Sequence, residues 1–280
     1  MTTTIDPQPR RGPSMATTAF TDRFSVRRTA GLTRWNMVLL SRNRLAFFYA
    51  VGLPLLPLGL LFVGERGAAP GGAGAITTMF LTISLFPVYY NVLAQFVSRR
   101  DELVLKRMRT GQTRDAELLA SIALPGVAAA LILSAVAVPV AAAVGQQLPV
   151  NPLLYAGLAV LAAVMFTAFA YWTAAWTKNA EAAQLTSMPI ILLASFGPLI
   201  GTIPNLPDRV VDVLSFTPGV AISDLIRICW FGLDCRDATV STLSFADTWG
   251  PAAGPLLAIV AWTYLAVVLA RRSMRWEPRT

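Results

Sequence analysis

Six stretches of the chain, residues 45–64, 75–97, 118–144, 153–177, 182–203 and 252–270, contain no charged side chain. Each is close to the roughly 20 apolar residues needed to cross the hydrocarbon core of a bilayer. In hydrocarbon every backbone amide and carbonyl must be paired within its own segment, so stretches of this length become helices. The expected fold is an all-α integral membrane protein with six transmembrane helices. The fifth stretch is the least regular: Gln184, Thr186 and Ser187 open it, and Pro189 and Pro198 interrupt it. Composition agrees, since charged residues make up 14% of the chain, against about 25% in soluble domains.

The position of the basic residues orients the spans, because Lys and Arg collect on the cytoplasmic side. Nineteen of the 23 fall on one side: Arg10, Arg11, Arg23, Arg27, Arg28, Arg34, Arg42 and Arg44 before the first span; Arg99, Arg100, Lys106, Arg107, Arg109 and Arg114 between the second and third; Lys178 after the fourth; and Arg271, Arg272, Arg275 and Arg279 at the end. Arg66, Arg209, Arg227 and Arg236 fall on the other. Both termini are therefore expected in the cytoplasm, with the first span retained rather than cleaved as a signal peptide. The formal charge of +8 does not mark a nucleic-acid binder, because it is divided among short segments between apolar runs.

Some chemistries are excluded and others disfavoured. The chain has no His, which removes His-based metal sites, triads and proton shuttles. The only lysines are Lys106 and Lys178, and neither follows the glycine-rich loop that cradles nucleotide phosphates. No span carries the Asp, Glu or Arg on which ion-coupled carriers rely. The acids of the 204–251 segment form no tight metal-binding motif. The chain is read as a non-enzyme, with no metal and no cofactor of its own.

Between the spans, residues 1–26 are rich in Thr, Pro and Arg and read as a disordered cytoplasmic tail, matched by a short tail over 273–280. From 27 to 44 the pattern becomes helical. Leu32, Trp35, Val38 and Leu39 share one side, and Arg27, Arg34 and Ser41 another, with Arg42 at the end. A basic amphipathic helix carrying a Trp is expected to lie in the membrane interface. Residues 101–110 are expected to form a short helix with Glu102 and Lys106 paired. Thr113 is expected to cap the helix that follows. A further helix is expected over 218–230, either on the outer surface or dipping between spans. Cys229 and Cys235 lie in the 204–251 segment, and both a disulfide and two separate thiols remain open.

Polar groups inside the spans are mild: Tyr89, Tyr90, Asn91 and Gln95 in the second, Tyr171 and Thr173 in the fourth. They face either other helices or a pathway. The prolines of the spans kink their helices where neighbours re-satisfy the freed carbonyls. Gly197 and Gly201 fit a small-residue helix contact.

This order of elements resembles the membrane-spanning subunit of the ABC-2 family of ATP-driven exporters over about residues 27–272. The most specific stretch is Arg99-Arg100-Asp101-Glu102-Leu103-Val104-Leu105-Lys106-Arg107-Met108-Arg109-Thr110-Gly111. It is similar to the family's charged cytoplasmic segment around a Leu-Lys-Arg core, with Glu102-Leu103-Val104 where a small pair is usual. Residues 179–184, Thr217-Pro218 and Leu225-Ile226-Arg227 also look family-like.

The resemblance implies that Arg99, Arg100, Asp101, Glu102, Leu103, Lys106, Arg107, Met108 and Arg109 belong to a short coupling helix gripped by an ATPase. It implies that Arg27, Leu32, Arg34, Trp35, Val38, Leu39 and Arg42 belong to an interfacial elbow helix. Two such permeases, identical or paralogous, would pair with two ATPase subunits that hold the ATP and magnesium. Expected cargo is a hydrophobic drug, antibiotic or lipid-like molecule, with polysaccharide or glycolipid export and a non-transporting membrane subunit as alternatives. A preference for Arg over Lys with abundant Ala, Gly and Pro points to a bacterial plasma membrane as the setting, with membrane lipid as a partner and no nucleic acid.

Overall fold

The computed structural model describes residues 25–59, 62, 70–105, 114–200, 207–233 and 242–274. Most of the 1–26 tail, the end of the first apolar stretch, residues 106–113, Gly201, Cys235 and the last six residues lie outside them. Every regular element among the described residues is helical, and extended backbone pairs only in the isolated bridge Leu233–Thr242.

Helix α1, Val26–Arg42, begins where Ser25 caps it by accepting from the Arg28 amide, and it stops at Asn43. α2 covers residues 44–59 and is irregular. A helical turn Arg44–Phe47 passes into a π-helical turn Phe48–Gly52, then through Leu53–Leu55 into a 3₁₀ turn Leu56–Gly59. Pro54 and Pro57 explain the breaks, because neither donates to the ladder and each ring crowds the carbonyl one turn back.

α3 runs over residues 70–101 with a π-helical turn, Leu85–Tyr90, in its middle. Pro87 sits in that turn, and the wider coil accommodates its missing donor. α4, Asp115–Ala143, passes directly across this bulge. A Cβ at Gly126 would stand 2.1 Å from the Pro87 carbonyl oxygen, so only glycine permits the approach. The α4 cap is Arg114 rather than Thr113: Glu117 reaches back to accept from the Arg114 amide, the acidic half of a capping box.

α5, Pro152–Ala174, is capped by Asn151, whose Oδ1 accepts from the Leu154 amide at 2.9 Å. It packs against α3, α4 and the helices that follow, and its buried residues form the centre of the core. α6 is Ala182–Ile200, α7 is Asp208–Ser215, α8 is Pro218–Phe231 and α9 is Trp249–Ser273.

Of the two placements open for the 218–230 helix, the structure has it between helices. Twelve of the 14 residues of α8 are buried, leaving only Asp224 and Arg227 at its edge. It is wedged among α3, α5, α6 and α9 and turns 86° from α7. Its closest neighbour is α6. A Cβ at Gly197 would meet the Gly219 carbonyl at 2.1 Å, and one at Gly219 would meet the Ala194 carbonyl at 2.1 Å. The expected glycine contact therefore forms at Gly197, against the Gly219 backbone and the Ser223 hydroxyl.

The far end of α8 closes a knot at the opposite end of the bundle from α1. Trp230 Nε1 donates to the Gln147 carbonyl and Gln147 Nε2 donates to the Trp230 carbonyl, each at 2.9 Å. Asn151 N–H donates to the Cys229 carbonyl at 2.8 Å, and its amide reaches Thr248 Oγ1 at 2.9 Å.

Among the described residues, four helices are long and apolar enough to cross a membrane: residues 72–101, 115–143, 152–174 and 249–273. The bent pair α7–α8 makes a fifth by the same measure. Of the six stretches in the sequence, the second, third, fourth and sixth thus appear as full-length apolar helices. The described part of the first is the broken α2, and α6 is the shorter apolar helix of the fifth.

Candidate coupling junction

The amphipathic pattern of α1 is present, but of its expected apolar stripe only Leu32 is half-buried, and the rest faces away from the bundle. Trp35 is 70% exposed and Leu39 58%, and Val38 and Arg34 also face outward. The bundle-facing stripe is instead Thr29, Asn36 and Leu40, the buried residues of the helix. Their spacing of seven and four residues places them on one side. α1 is thus fastened by polar groups while its apolar side is left for other surroundings.

Two clusters make the fastening. In the first, Glu117 at the start of α4 is fully buried and fully used. Its carboxylate accepts from the Ser25 amide at 2.6 Å, from Arg28 Nη2 at 3.0 Å and from the Arg114 amide at 3.4 Å. Position three of a helix also places the carboxylate in the favourable field of the N-terminus. In the second, Asn36 Nδ2 donates to the Ser121 carbonyl at 2.6 Å while its Oδ1 accepts from Arg99 Nη2 at 2.8 Å. One amide thereby ties α1 to both α4 and α3.

Arg99 and Arg100 are adjacent in sequence and diverge in space. Arg99 reaches α1 through Asn36 and also Gln95 Oε1 at 3.4 Å. Arg100 is fully buried and caps the end of α5, donating to the carbonyls of Ala174 at 2.7 Å, Thr177 at 2.5 Å and Lys178 at 3.2 Å. A guanidinium suits that place because the last carbonyls of a helix lack partners and carry its negative dipole end. The last turn of α3 is thus clamped to α1 on one side and to the α5–α6 connection on the other.

Beyond the clamp the chain turns sharply. The expected helix over 101–110 does not begin at Asp101, because α3 itself runs to that residue. Glu102 and Leu103 form a turn, with Leu103 N–H donating to the Arg100 carbonyl at 3.1 Å and Leu103 in the left-handed region at φ 59°. A change of direction needs such a residue, and a leucine there costs about 1–2 kcal/mol. Helical backbone resumes at Val104 and Leu105, and the Leu105 side chain is buried. Asp101, Glu102 and Leu103 are exposed, while Lys106, Arg107, Met108 and Arg109 lie outside the described residues.

The polar residues of the spans are placed inside the chain. The hydroxyls of Tyr89 and Thr173 meet at 3.1 Å and tie α3 to α5. Tyr171 donates to the Leu119 carbonyl at 2.6 Å and stacks edge-on with Phe96 at 5.5 Å. Asn91 Oδ1 accepts from Gln95 Nε2 at 2.9 Å. Tyr90 is half-buried, with its ring 5.9 Å from Tyr49 and 6.5 Å from Phe86. Cys229 is buried with Sγ 3.9 Å from the Ile226 carbonyl, and Cys235 lies outside the described residues.

A family model described as ABC-2 family transporter protein matches residues 55–270. The chain belongs to the ABC-2 transporter family. The match starts within α2 and ends within α9, so it contains the α3 end with Arg99 and Arg100, Glu117 and the α5 terminus, and leaves α1 outside. No curated protein matches the chain. Members of the ABC-2 family are membrane transport subunits that work with ABC ATPases, so this is a multi-pass membrane permease.

Proposed function

We propose that this chain is the permease subunit of an ABC exporter in a bacterial plasma membrane, with both termini cytoplasmic. It forms the translocation path together with a second copy or paralogue, and two separate ATPase subunits supply ATP and magnesium. The cargo class is a hydrophobic drug, antibiotic or lipid-like molecule, in keeping with six uncharged apolar stretches. α1 acts as the interfacial elbow, its outward Trp35 and Leu39 facing lipid.

The clamp at the end of α3 carries this reading. The segment that begins at Asp101 faces the ATPase, while Arg99 and Arg100 face inward, so force applied at Asp101–Leu103 reaches α1 through Arg99–Asn36 and the α5–α6 connection through Arg100. Bistable packing then converts a small displacement into a change of the path. Coupling of this kind needs shape and hydrogen bonds rather than a catalytic group.

Co-expression of the chain with its genomic neighbours tests the proposal. Expected is an ATPase that co-purifies in two copies and whose turnover responds to a hydrophobic cargo candidate. A chain that purifies without an ATPase under conditions preserving its fold sinks it.

A further inference from the structure

Where α1 turns into α2, the chain leaves an apolar crevice of about 220 Å³ against the side of α4. Met37, Leu40 and Ser41 of α1, Phe47 of α2, and Ala128 and Ala129 of α4 are among its walls. The hollow follows from how the three helices meet. Contacts of α1 advance from Ser25 to Asn36 while those on α4 advance only from Glu117 to Ser121, so α1 crosses α4 obliquely. α2 then departs in another direction, and the two alanines of α4 are too short to fill the corner. The mouth is open: Met37 is 44% exposed and Ile132, on the α4 wall, 62%.

Charge around the mouth selects the occupant. Residues 25–59 hold Arg27, Arg28, Arg34, Arg42 and Arg44 and no acid. Arg28 is committed to Glu117, whereas Arg42 and Arg44 are exposed and follow directly on Ser41 in the corner. An apolar slot whose wall at Ser41 and Phe47 is flanked in the chain by two exposed cations matches a chain of methylenes attached to an anion. The slot is also smaller than the roughly 300–1,000 Å³ of sites that enclose a whole small molecule, which fits a length of acyl chain better than an entire cargo. We infer that the crevice holds one acyl chain of an anionic phospholipid whose phosphate rests on Arg42 and Arg44. The lipid fills the corner between α1, α2 and α4 and is distinct from any transported molecule.

The test uses the full chain with its associated subunits, delipidated in mild detergent. Phosphatidylglycerol or phosphatidylcholine with identical acyl chains is added back, and retained lipid is read by native mass spectrometry. A basic side chain near an anionic surface contributes about fivefold, so two predict a preference for phosphatidylglycerol of at least about tenfold. R42Q/R44Q reduces that preference to within about twofold, and Ala129→Leu, which fills the slot, lowers phosphatidylglycerol retention about tenfold. Equal retention of the two lipids by the unmodified protein, or unchanged retention by Ala129→Leu, overturns the assignment.

A second measurement needs only the unmodified protein. Phosphatidylglycerol carrying a mid-chain diazirine is expected to label peptides spanning 37–51 or 125–133, and labelling confined to other helices overturns the site. Loss of that labelling to a competing exported molecule reassigns the crevice to cargo. Efficient disulfide cross-linking of Ile132→Cys chains in native membranes, above the level of unmodified protein, reassigns it to a second copy.

Discussion

The side-chain amide of Asn36 supplies the hydrogen bond that Pro125 withholds. A proline in a helix has no N–H for the carbonyl four residues earlier, and its ring crowds that carbonyl. In α4 that carbonyl belongs to Ser121, and Asn36 Nδ2 donates to it at 2.6 Å. The proline of one helix and the docking of another are therefore a single feature.

Asn36→Ala leaves the Ser121 carbonyl and the Arg99 guanidinium each short of a partner, at a cost of about 1–3 kcal/mol. Pro125→Ala restores a backbone donor to Ser121. The double variant N36A/P125A is expected to lose less than the sum of the single losses, read by thermal unfolding in detergent. Strict additivity means the two residues are uncoupled.

Glu117→Gln keeps the shape of the side chain and removes its charge. The buried carboxylate has three donors, one of them Arg28 with a side chain 37% exposed. The expected loss is about 2 kcal/mol, because hydrogen bonds to a charged group contribute about 1.5–3 kcal/mol. Arg28→Met is expected to cost less, since solvent already screens that guanidinium. Equal melting temperatures for Glu117→Gln and the unmodified protein contradict the assignment.

Glu102 is exposed just beyond the clamp. Reversing charge at both ends of the segment, Glu102→Lys with Arg107→Glu, is expected to abolish export while membrane insertion and yield stay normal. Transport assays in vesicles decide it, and normal export removes the segment from the ATPase contact.

Gly219→Ala forces a methyl group onto the Ala194 carbonyl, where backbone cannot yield as a side chain would. A loss of about 1–3 kcal/mol is expected, with reduced yield of folded protein. Gly157→Ala and Gly250→Ala open onto free space and serve as controls expected to remain stable. A stable Gly219→Ala protein would falsify the backbone contact between α6 and α8.

The helical repeat and the charge-free stretches made most helices legible before any coordinates, and α1 runs from Val26 to Arg42 close to the expected 27–44. Which side of α1 packs was not legible. In water an apolar stripe marks the buried face, but in α1 the buried residues are Thr29, Asn36 and Leu40 instead. The fate of Arg100 was equally hidden, since its acceptors are carbonyls 74 to 78 residues away. Carbonyls are present at every position and leave no mark in a sequence. The reach of Glu117 to Ser25 and Arg28 depends on tertiary approach and is likewise unmarked in the sequence.

The reciprocal bonds between Trp230 and Gln147 have a mechanical consequence. They fix the tip of α8 to the α4–α5 turn, Asn151 continues the link to Thr248, and the glycine contact locks the other end of α8 to α6. α8 therefore behaves as a crossbar keyed at both ends, with backbone set against backbone at the α6 joint. Rotation of α6 would be passed on to the starts of α5 and α9, so these contacts join this end of the bundle into one block.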